Sequence, residues 1–184
     1  MGPQGSGKGT QAALLAQRLG VPAISTGDIF RANIAGGTEL GVLAQSFTSR
    51  GELVPDEVTT AMVASRLAQA DAAQGFILDG YPRNAAQVAA LDEILTGLGV
   101  QLDRVLELTA DRDELLARLD RRAELEGRED DTHEAIARRL DIYTEQTAPL
   151  TAGYAVRGLL VQIDGIGAVD EVADRLGAAL ATVG

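Results

Sequence analysis

The sequence contains no cysteine and no tryptophan, and aromatic residues make up only 3% of its 184 residues. The lack of cysteine excludes disulfide bonds and zinc sites built from thiolates. The shortage of aromatic rings means that leucine, valine, isoleucine and alanine must build the core. Because 46% of the residues are hydrophobic, the chain can still bury a sizeable core, and we expect a single domain over residues 1–184.

Long apolar runs and a basic surface are also missing. No run approaches the roughly 20 apolar residues that cross a bilayer, and no signal peptide is recognisable, so we expect a cytoplasmic protein. The formal net charge of −11 argues against a nucleic-acid-binding face, which would have to be basic. A site for phosphate in such a chain must be a local cluster of cations within an acidic protein.

Lysine is almost absent, and the one lysine is informative. Lys8 is the only lysine among sixteen basic residues, and it lies in the stretch Gly2-Pro3-Gln4-Gly5-Ser6-Gly7-Lys8-Gly9-Thr10. Glycines in such a loop let several backbone N–H groups point inward, and a helical pattern over 11–19 follows directly. A compact ammonium suits a moving phosphoryl group better than a planar guanidinium. We interpret the stretch as a phosphate-binding loop rather than a chance glycine-rich start, although Gly9 stands where Ser or Thr is usual.

Short apolar runs alternate with helical patterns along the rest of the chain. The runs 21–25, 76–78, 105–108 and 159–163 favour buried strands, and we expect helix N-caps at Asp28, Asp56, Asn84, Asp131 and Asp170. This alternation predicts an α/β fold with a parallel sheet covered on both faces. The loop, Asp79 and Asp164 should then meet at one edge of the sheet, where ligands bind in such folds.

One strand is missing from this pattern. Only Met1 precedes Gly2, so no apolar run leads into the loop. Without such a strand, the predicted strands 76–78 and 105–108 would lack a shared neighbour and leave backbone groups unpaired in the core. The expectation is therefore a missing first central strand, through a truncated or misassigned start, or a gap that another segment or chain fills.

The fifteen arginines divide into two groups. Ten are interpreted as ordinary surface residues. Five lie at irregular or cap-adjacent positions, and together they could offset the charges of two nucleotides held head to head: Arg31, Arg83, Arg122, Arg128 and Arg139.

Four ordered motifs carry a resemblance to a known family. They are Gly2-x-x-Gly5-x-Gly7-Lys8-Gly9-Thr10-Gln11, Ser25-Thr26-Gly27-Asp28, Asp79-Gly80-Tyr81-Pro82-Arg83 and Gly127-Arg128-x-Asp130-Asp131. In this order they resemble the nucleoside monophosphate kinases, and most closely the adenylate kinases with a short lid. The resemblance implies a P-loop three-layer doubly wound parallel sheet, a small helical NMP-binding insert at 25–56 and a short lid at 121–132, in a monomer that closes over its substrates.

The resemblance also implies an activity and a role for each matching residue. The activity is reversible transfer of the γ-phosphoryl group of ATP to AMP, giving two ADP. The implied catalytic residues are Lys8, Arg83, Arg122, Arg128 and Arg139. The implied ATP-binding residues are Gly5, Ser6, Gly7, Lys8, Gly9, Thr10, Arg122 and Gly167. The implied AMP-binding residues are Thr26, Arg31, Glu52, Leu53, Val54, Gly80, Tyr81, Pro82, Arg83, Gln87, Arg128 and Arg139.

Two further roles follow from the resemblance. Asp79 would organise Mg²⁺ through water, and Asp130 and Asp131 would be lid aspartates, or equally a cap for the next helix. Thr26 and Gln87 stand where the AMP-specific members of the family carry the same residues, and a glutamine offers both a donor and an acceptor to the edge of adenine.

Two other functions stay open at this point. One is a kinase of another nucleoside monophosphate, and the other is an inactive nucleotide-binding module that lacks its first strand. A GTPase switch is disfavoured because the sequence has no Asn-Lys-x-Asp motif.

Overall fold

The computed structural model describes residues 1–126 and 132–181 of the chain. Within these residues the strands are β1 (Ala23–Ser25), β2 (Ile77–Asp79), β3 (Val105–Thr109) and β4 (Leu160–Asp164). β1 pairs with β2 and β3 pairs with β4, in both cases in parallel. The strands alternate with helices, so the α/β prediction is confirmed.

The helices occupy the segments between these strands. They are α1 (Lys8–Leu19), α2 (Thr26–Ala35), α3 (Glu39–Thr48), α4 (Asp56–Leu67), α5 (Ala85–Leu98), α6 (Arg112–Glu126), α7 (His133–Ile142), α8 (Leu150–Val156) and α9 (Val169–Ala181). A 3₁₀ turn follows α4 at Ala70–Ala72, and a π-helical turn follows α7 at Tyr143–Thr147. Among the described helices, none combines the length and the apolar character that crossing a bilayer requires.

Some predicted caps are confirmed and others are wrong. Asn84 caps α5, since its Oδ1 accepts from the backbone N–H of Gln87 at 2.9 Å. The cap of α2 is Ser25 rather than Asp28, because Ser25 is still in extended backbone and its Oγ accepts from the N–H of Asp28 at 3.2 Å. Asp56 is the first residue inside α4, after Pro55 at the cap position, so its carboxylate is available for other contacts.

Two further caps lie near the ends of helices in the second part of the chain. The predicted cap Asp131 lies outside the described residues, and Thr132 caps α7 by accepting from the N–H of Ala135 at 3.2 Å. The predicted cap Asp170 is wrong, because it lies inside α9, which begins at Val169.

Each strand pair has its own hydrophobic core. Ile24 of β1 packs with Val63 and Leu67 of α4 and with Leu91 and Leu95 of α5. We call β1 and β2 with α4 and α5 the β1–β2 half. Burial of a side chain of this kind stabilises the fold by about 1.5–3 kcal/mol.

The second core belongs to the other strand pair. Leu108 of β3 and Ile163 of β4 pack against Val172 and Leu176 of α9. We call β3 and β4 with α6 and α9 the β3–β4 half. α1 follows the glycine loop and contacts both halves, since it packs against β1 and β2 on one side and against α9 on the other.

Between β2 and β3 the chain contributes the backbone of Met1. The amino group of Met1 donates to the carbonyl of Leu106, and the N–H of Leu108 donates to the carbonyl of Met1 at 3.0 Å. This pattern is that of a parallel bridge opposite Glu107. An apolar groove of about 730 Å³ continues from Met1 between the two strand pairs, with Leu78 on one side and Leu106 on the other. The expectation of a missing first strand stays a prediction.

Candidate functional site

A cleft of about 950 Å³ opens at the carboxyl ends of β1 and β2. Its walls are formed by the glycine loop, α2, residues 51–54, the β2–α5 connection and α7. This volume lies near the upper end of the roughly 300–1,000 Å³ that ligand pockets occupy. The sequence predicted that the loop, Asp79 and Asp164 meet at one edge of the sheet. The loop and Asp79 both line this cleft, and Asp164 is followed by Gly165, where an added Cβ would lie 3.3 Å from the carbonyl oxygen of Ser6 in the loop.

The cleft is cationic although the protein as a whole is acidic. Six cationic side chains line it in the described part of the chain, against three carboxylates, whereas the formal net charge of the whole chain is −11. The cations are Lys8, Arg31, Arg83, Arg118, Arg121 and Arg139, and the carboxylates are Asp28, Glu52 and Asp79. A cluster of cations against low-dielectric walls attracts polyanions, as the sequence analysis required of a phosphate site.

The glycine loop is shaped by its backbone. Gly5 and Gly7 have φ of +85° and +89°, a region that side chains with a Cβ rarely adopt. Gly7 caps α1, so the free N–H groups at the start of that helix face the loop. Lys8 reaches across it, with Nζ donating to the carbonyl of Pro3 at 2.7 Å. Ser6, within the loop, is only 1% exposed.

The opposite wall is centred on the carbonyl of Gly80. The hydroxyl of Thr26 donates to it at 3.1 Å, and Nε of Arg83 donates to it at 2.7 Å. Gly80 has φ of +81°, and a Cβ there would lie 2.6 Å from the Thr26 hydroxyl. This glycine is therefore required both by its backbone conformation and by the close approach of Thr26.

Three of the predicted arginines lie near one another. Burial lowers the pKa of Arg83 from its usual value, Asp79 opposes the shift, and the charges of Arg139 and Arg31 add to it. Arg31 is paired with Asp28, and Nη2 of Arg139 donates to the carbonyl of Thr48 at 3.0 Å. Of the five arginines that the sequence predicts to act together, Arg31, Arg83 and Arg139 line the cleft, and their roles stay predictions.

Gln87 lies in the same wall and is fixed at both ends of its amide. Its Oε1 accepts from the N–H of Arg83 at 2.8 Å, and its Nε2 donates to Oδ1 of Asp56 at 2.6 Å. The residue is only 2% exposed yet lines the cleft. The sequence indicated Gln87 but gave no sign of its contact with Asp56.

The remaining residues of this wall differ in how they contribute. Tyr81 and Val54 are buried, and the Tyr81 hydroxyl forms a 2.9 Å hydrogen bond with Thr60. Glu52 accepts from Arg50 at 2.8 Å and from Arg138 at 3.0 Å, which joins the segment after α3 to α7. Glu52, Leu53, Val54, Tyr81 and Pro82 all line the cleft.

Asp79 lies at the end of β2, close to the glycine loop. It lines the cleft, and a Cβ added at Gly9 would lie 3.8 Å from its Oδ2. The described residues contain no group of three or more histidines and carboxylates that could hold a metal ion by themselves. Mg²⁺ commonly uses one or two carboxylates together with water and substrate phosphates, so a single carboxylate beside the loop fits this ion.

Two cleft arginines were missed by the sequence analysis. Arg118 donates to Oε1 of Glu114 at 2.6 Å and to the carbonyl of Gly165 at 3.1 Å, and Arg121 lies beside it in the wall. Glu114 and Arg118 have the spacing of an ordinary surface ion pair on a helix, so the sequence gave no reason to expect the bond from Arg118 to Gly165. The carbonyl of Gly165 belongs to the β4–α9 connection, which follows the strand end at Asp164 that the sequence places at this edge.

Other predicted residues are placed less fully. The backbone of Arg122 lies in α6, but its side chain is outside the description, and Arg128, Asp130 and Asp131 lie outside the described residues. Gly167 has φ of +127° in the β4–α9 connection and does not belong to the described wall of the cleft. The roles of these residues stay predictions.

Comparison with known proteins agrees with this geometry. The family model for adenylate kinase matches residues 1–159. The chain is similar to an adenylate kinase of Thermobifida fusca (strain YX), with 57% identity covering 98% of this chain and 95% of the relative. It is also similar to the adenylate kinases of Kocuria rhizophila, with 59% identity covering 98% of this chain and 96% of the relative, and of Bifidobacterium longum, with 58% identity covering 96% and 95%. The chain therefore belongs to the adenylate kinase family.

Proposed function

We propose that this protein is an ATP:AMP phosphotransferase that reversibly converts ATP and AMP into two ADP. The observation that carries the proposal is the concentration of six cations in one cleft of an acidic chain, next to a glycine loop that opens a helix. Membership of the adenylate kinase family supports it, and the names of the relatives favour neither of the two alternative functions.

The two walls of the cleft serve the two nucleotides. The loop holds the phosphates of ATP through its backbone N–H groups, with the ammonium of Lys8 on the transferring group. AMP lies against the Gly80 wall, where Thr26 and Gln87 meet its base and Arg31, Arg83 and Arg139 meet its phosphate. A planar guanidinium can bind two phosphate oxygens at once, which suits these three residues to an acceptor held in one position.

The reaction requires positioning rather than a general base. The phosphate of AMP is already nucleophilic, so the work of the protein is to bring it in line with the γ-phosphoryl group and to offset the negative charge. Holding two reactants in register can supply about 7–11 kcal/mol of the barrier. When bound with ATP, Mg²⁺ would neutralise part of the phosphate charge, and Asp79 is the residue that would hold its waters.

Water must be excluded while the phosphoryl group is transferred, because otherwise ATP would be hydrolysed. We propose that the insert 25–56 and the lid 121–132 close over the cleft. Contacts that support this proposal join the insert to α7, namely Arg139 with the carbonyl of Thr48 and Arg138 with Glu52. Arg122 and Arg128 would approach the phosphates from the lid side. The monomeric state stays a prediction from the family resemblance, and the cytoplasmic location stays a prediction from the sequence.

A coupled assay with ATP, Mg²⁺ and one nucleoside monophosphate at a time tests the activity. We expect ADP to form readily with AMP and far more slowly with UMP, CMP or GMP. Equal rates with all four would contradict the roles given to Thr26 and Gln87. ADP formation that does not depend on any monophosphate would contradict the proposal as a whole.

We further propose that the space between β2 and β3 is a strand position at the centre of a doubly wound three-layer sheet, entered by Met1. The parallel bridge from Met1 to β3 and the apolar groove beyond it support this reading. Five apolar residues of strand-forming type added before Met1 should raise the Tm by about 5 °C or more, since 1 kcal/mol corresponds to about 2–4 °C in a domain of this size. Five glycine and serine residues serve as the control, and equal Tm values for the two chains would contradict the proposal.

A further inference from the structure

Asp56 makes contacts that its position in the chain does not suggest. It is the first residue of α4, where a carboxylate ordinarily interacts with the helix dipole. Here its two oxygens accept from Nδ2 of Asn84, both at 3.0 Å, and its Oδ1 also accepts from Nε2 of Gln87 at 2.6 Å. The partners lie 28 and 31 residues further along the chain, so the contact ties the start of α4 to the start of α5.

These contacts fix which way the amide of Gln87 points. A carboxylate can only accept, so Nε2 must face Asp56, and a backbone N–H can only donate, so Oε1 must face Arg83. Asn84 is itself held in one orientation, because its Oδ1 accepts from the backbone N–H of Gln87 at 2.9 Å while its Nδ2 donates to Asp56. The remaining hydrogen of Nε2 and the remaining lone pair of Oε1 then have fixed positions. A ligand would meet the donor on the side of Asp56 and the acceptor on the side of Arg83.

The fixed order matters for recognition of a base. Adenine presents an acceptor at N1 beside a donor at its amino group, whereas guanine presents a donor at N1 beside an acceptor at O6. An amide that can turn over serves both edges, but an amide held in one orientation serves only one. Because Gln87 is 2% exposed, solvent is poorly placed to compete with its partners.

We propose that Asp56 is a positioning residue that holds the amide of Gln87 in the orientation which reads adenine, and so contributes to the choice of AMP over GMP. Asp56 acts through Gln87 and does not itself touch the nucleotide. This inference rests on the proposed function, and it assigns the specificity of the acceptor site to a residue outside the family motifs quoted above.

The main test is Asp56→Asn, which keeps the shape of the side chain but removes its charge and one of its two acceptor oxygens. Loss of a hydrogen bond to a charged group should raise the KM for AMP about tenfold or more and reduce the preference for AMP over GMP by a similar factor. The kcat at saturating AMP and the KM for ATP should change by less than about twofold, because neither depends on the orientation of Gln87.

Glu57→Gln is the matched control. Glu57 lies in the same first turn of α4, carries the same charge and is exposed. If the role of Asp56 is only to stabilise the helix, the two variants should lower the Tm alike and leave the AMP to GMP preference unchanged. That result would overturn the inference. Asp56→Ser, with a residue that also suits a helix start, gives a second variant if Asp56→Asn folds poorly.

A double-mutant cycle with Gln87→Ala separates this inference from the proposed function. Asp56→Asn should have little further effect on the KM for AMP once Gln87 is truncated, because the two residues act as one unit. Additive effects would overturn the inference while leaving the activity intact. A wild-type protein that forms no ADP from ATP and AMP would instead overturn the proposed function.

Discussion

The β1–β2 half and the β3–β4 half each support one wall of the cleft, and they build it by different means. On the β1–β2 side, side chains hold one another, as Thr26 and Arg83 do through the carbonyl of Gly80. On the β3–β4 side, the glycine loop lies directly on backbone. A Cβ at Gly2 would be 2.5 Å from the carbonyl oxygen of Leu108, and a Cβ at Gly5 would be 2.9 Å from that of Leu115.

This difference indicates where each wall is vulnerable. The wall on the β1–β2 side depends on polar side chains, so truncation should change binding and turnover there. The loop depends on the absence of side chains, so added carbon atoms should damage it. Lys8 is the exception within the loop, because the role that we propose for it depends on its side chain.

The largest effect is expected at Lys8. Lys8→Ala should lower kcat by about 10²–10³-fold, the usual result of removing one group that stabilises charge in a transition state. Lys8→Arg is the control, because it keeps the charge but replaces a compact ammonium with a rigid fork. Turnover measured at saturating ATP and AMP distinguishes the two. Retention of more than a tenth of the wild-type kcat in Lys8→Ala would show that the backbone of the loop is sufficient.

The next largest effect is expected at Arg83 in the opposite wall. Arg83→Ala should lower kcat by about 10²-fold with little change in Tm, because a half-buried charge next to two other arginines contributes little net stability. Arg157→Ala provides the comparison, since Arg157 pairs with Asp92 at the surface. If Arg83→Ala instead keeps its turnover and loses its fold, Arg83 is structural and the wall must bind phosphate in another way.

A pH effect is expected on the β3–β4 side. Burial lowers the pKa of the Met1 amino group from 8.0 to about 6, and the charge of Lys8 adds to this shift while Asp79 and Glu107 oppose it. The unfolded chain therefore binds a proton between pH 6 and pH 8 that the folded chain does not. Stability should rise by about 2 kcal/mol from pH 6 to pH 8 and be lost as the pH falls.

Urea unfolding at a series of pH values measures this rise. Acetylation of the Met1 amino group removes its titration but keeps an N–H that can donate to Leu106. The acetylated chain should lose the pH dependence between 6 and 8. If both chains show the same slope, another group is responsible.

The sequence predicted the parts of the site that short motifs and strand ends determine. The glycine loop, and Asp79 at the end of β2 beside it, follow from parallel strands that end at one edge. Arg31, Arg83 and Arg139, which line the cleft, were indicated by their positions in the chain and by the family motifs. Local signals also gave the cap at Asn84. At α2 the sequence offers both Ser25 and Asp28 as cap residues. Ser25 is the cap, because it is still in extended backbone whereas Asp28 lies inside the helix.

What the sequence could not predict depends on contacts between distant segments. Asp56 and Gln87 are 31 residues apart, and nothing in the local pattern joins them. Arg118 looks like one member of a surface ion pair in the sequence. Its second hydrogen bond, to the carbonyl of Gly165, joins residues 47 positions apart and is not visible there. The local sequence pattern indicates Glu114, which lies four residues from Arg118, but it gives no sign of Gly165, which only the folded chain brings close.

The smallest effect is expected from a pair of glycines in the loop. Gly5 and Gly7 have nearly the same φ, at +85° and +89°, but only Gly5 is crowded, since nothing lies within 4 Å of a Cβ added at Gly7. Gly7→Ala should cost about 1 kcal/mol from backbone strain alone. Gly5→Ala should cost about 1–2 kcal/mol more, because the loop must move away from the carbonyl of Leu115.

Unfolding in urea measures both variants under the same conditions, and the difference between them isolates the close approach from the backbone conformation. Equal losses of stability would mean that the loop moves freely on the β3–β4 half. The difference between the two walls would then lie in their side chains alone. A larger loss at Gly5 would show that the position of the loop is determined by how closely its backbone meets that of α6.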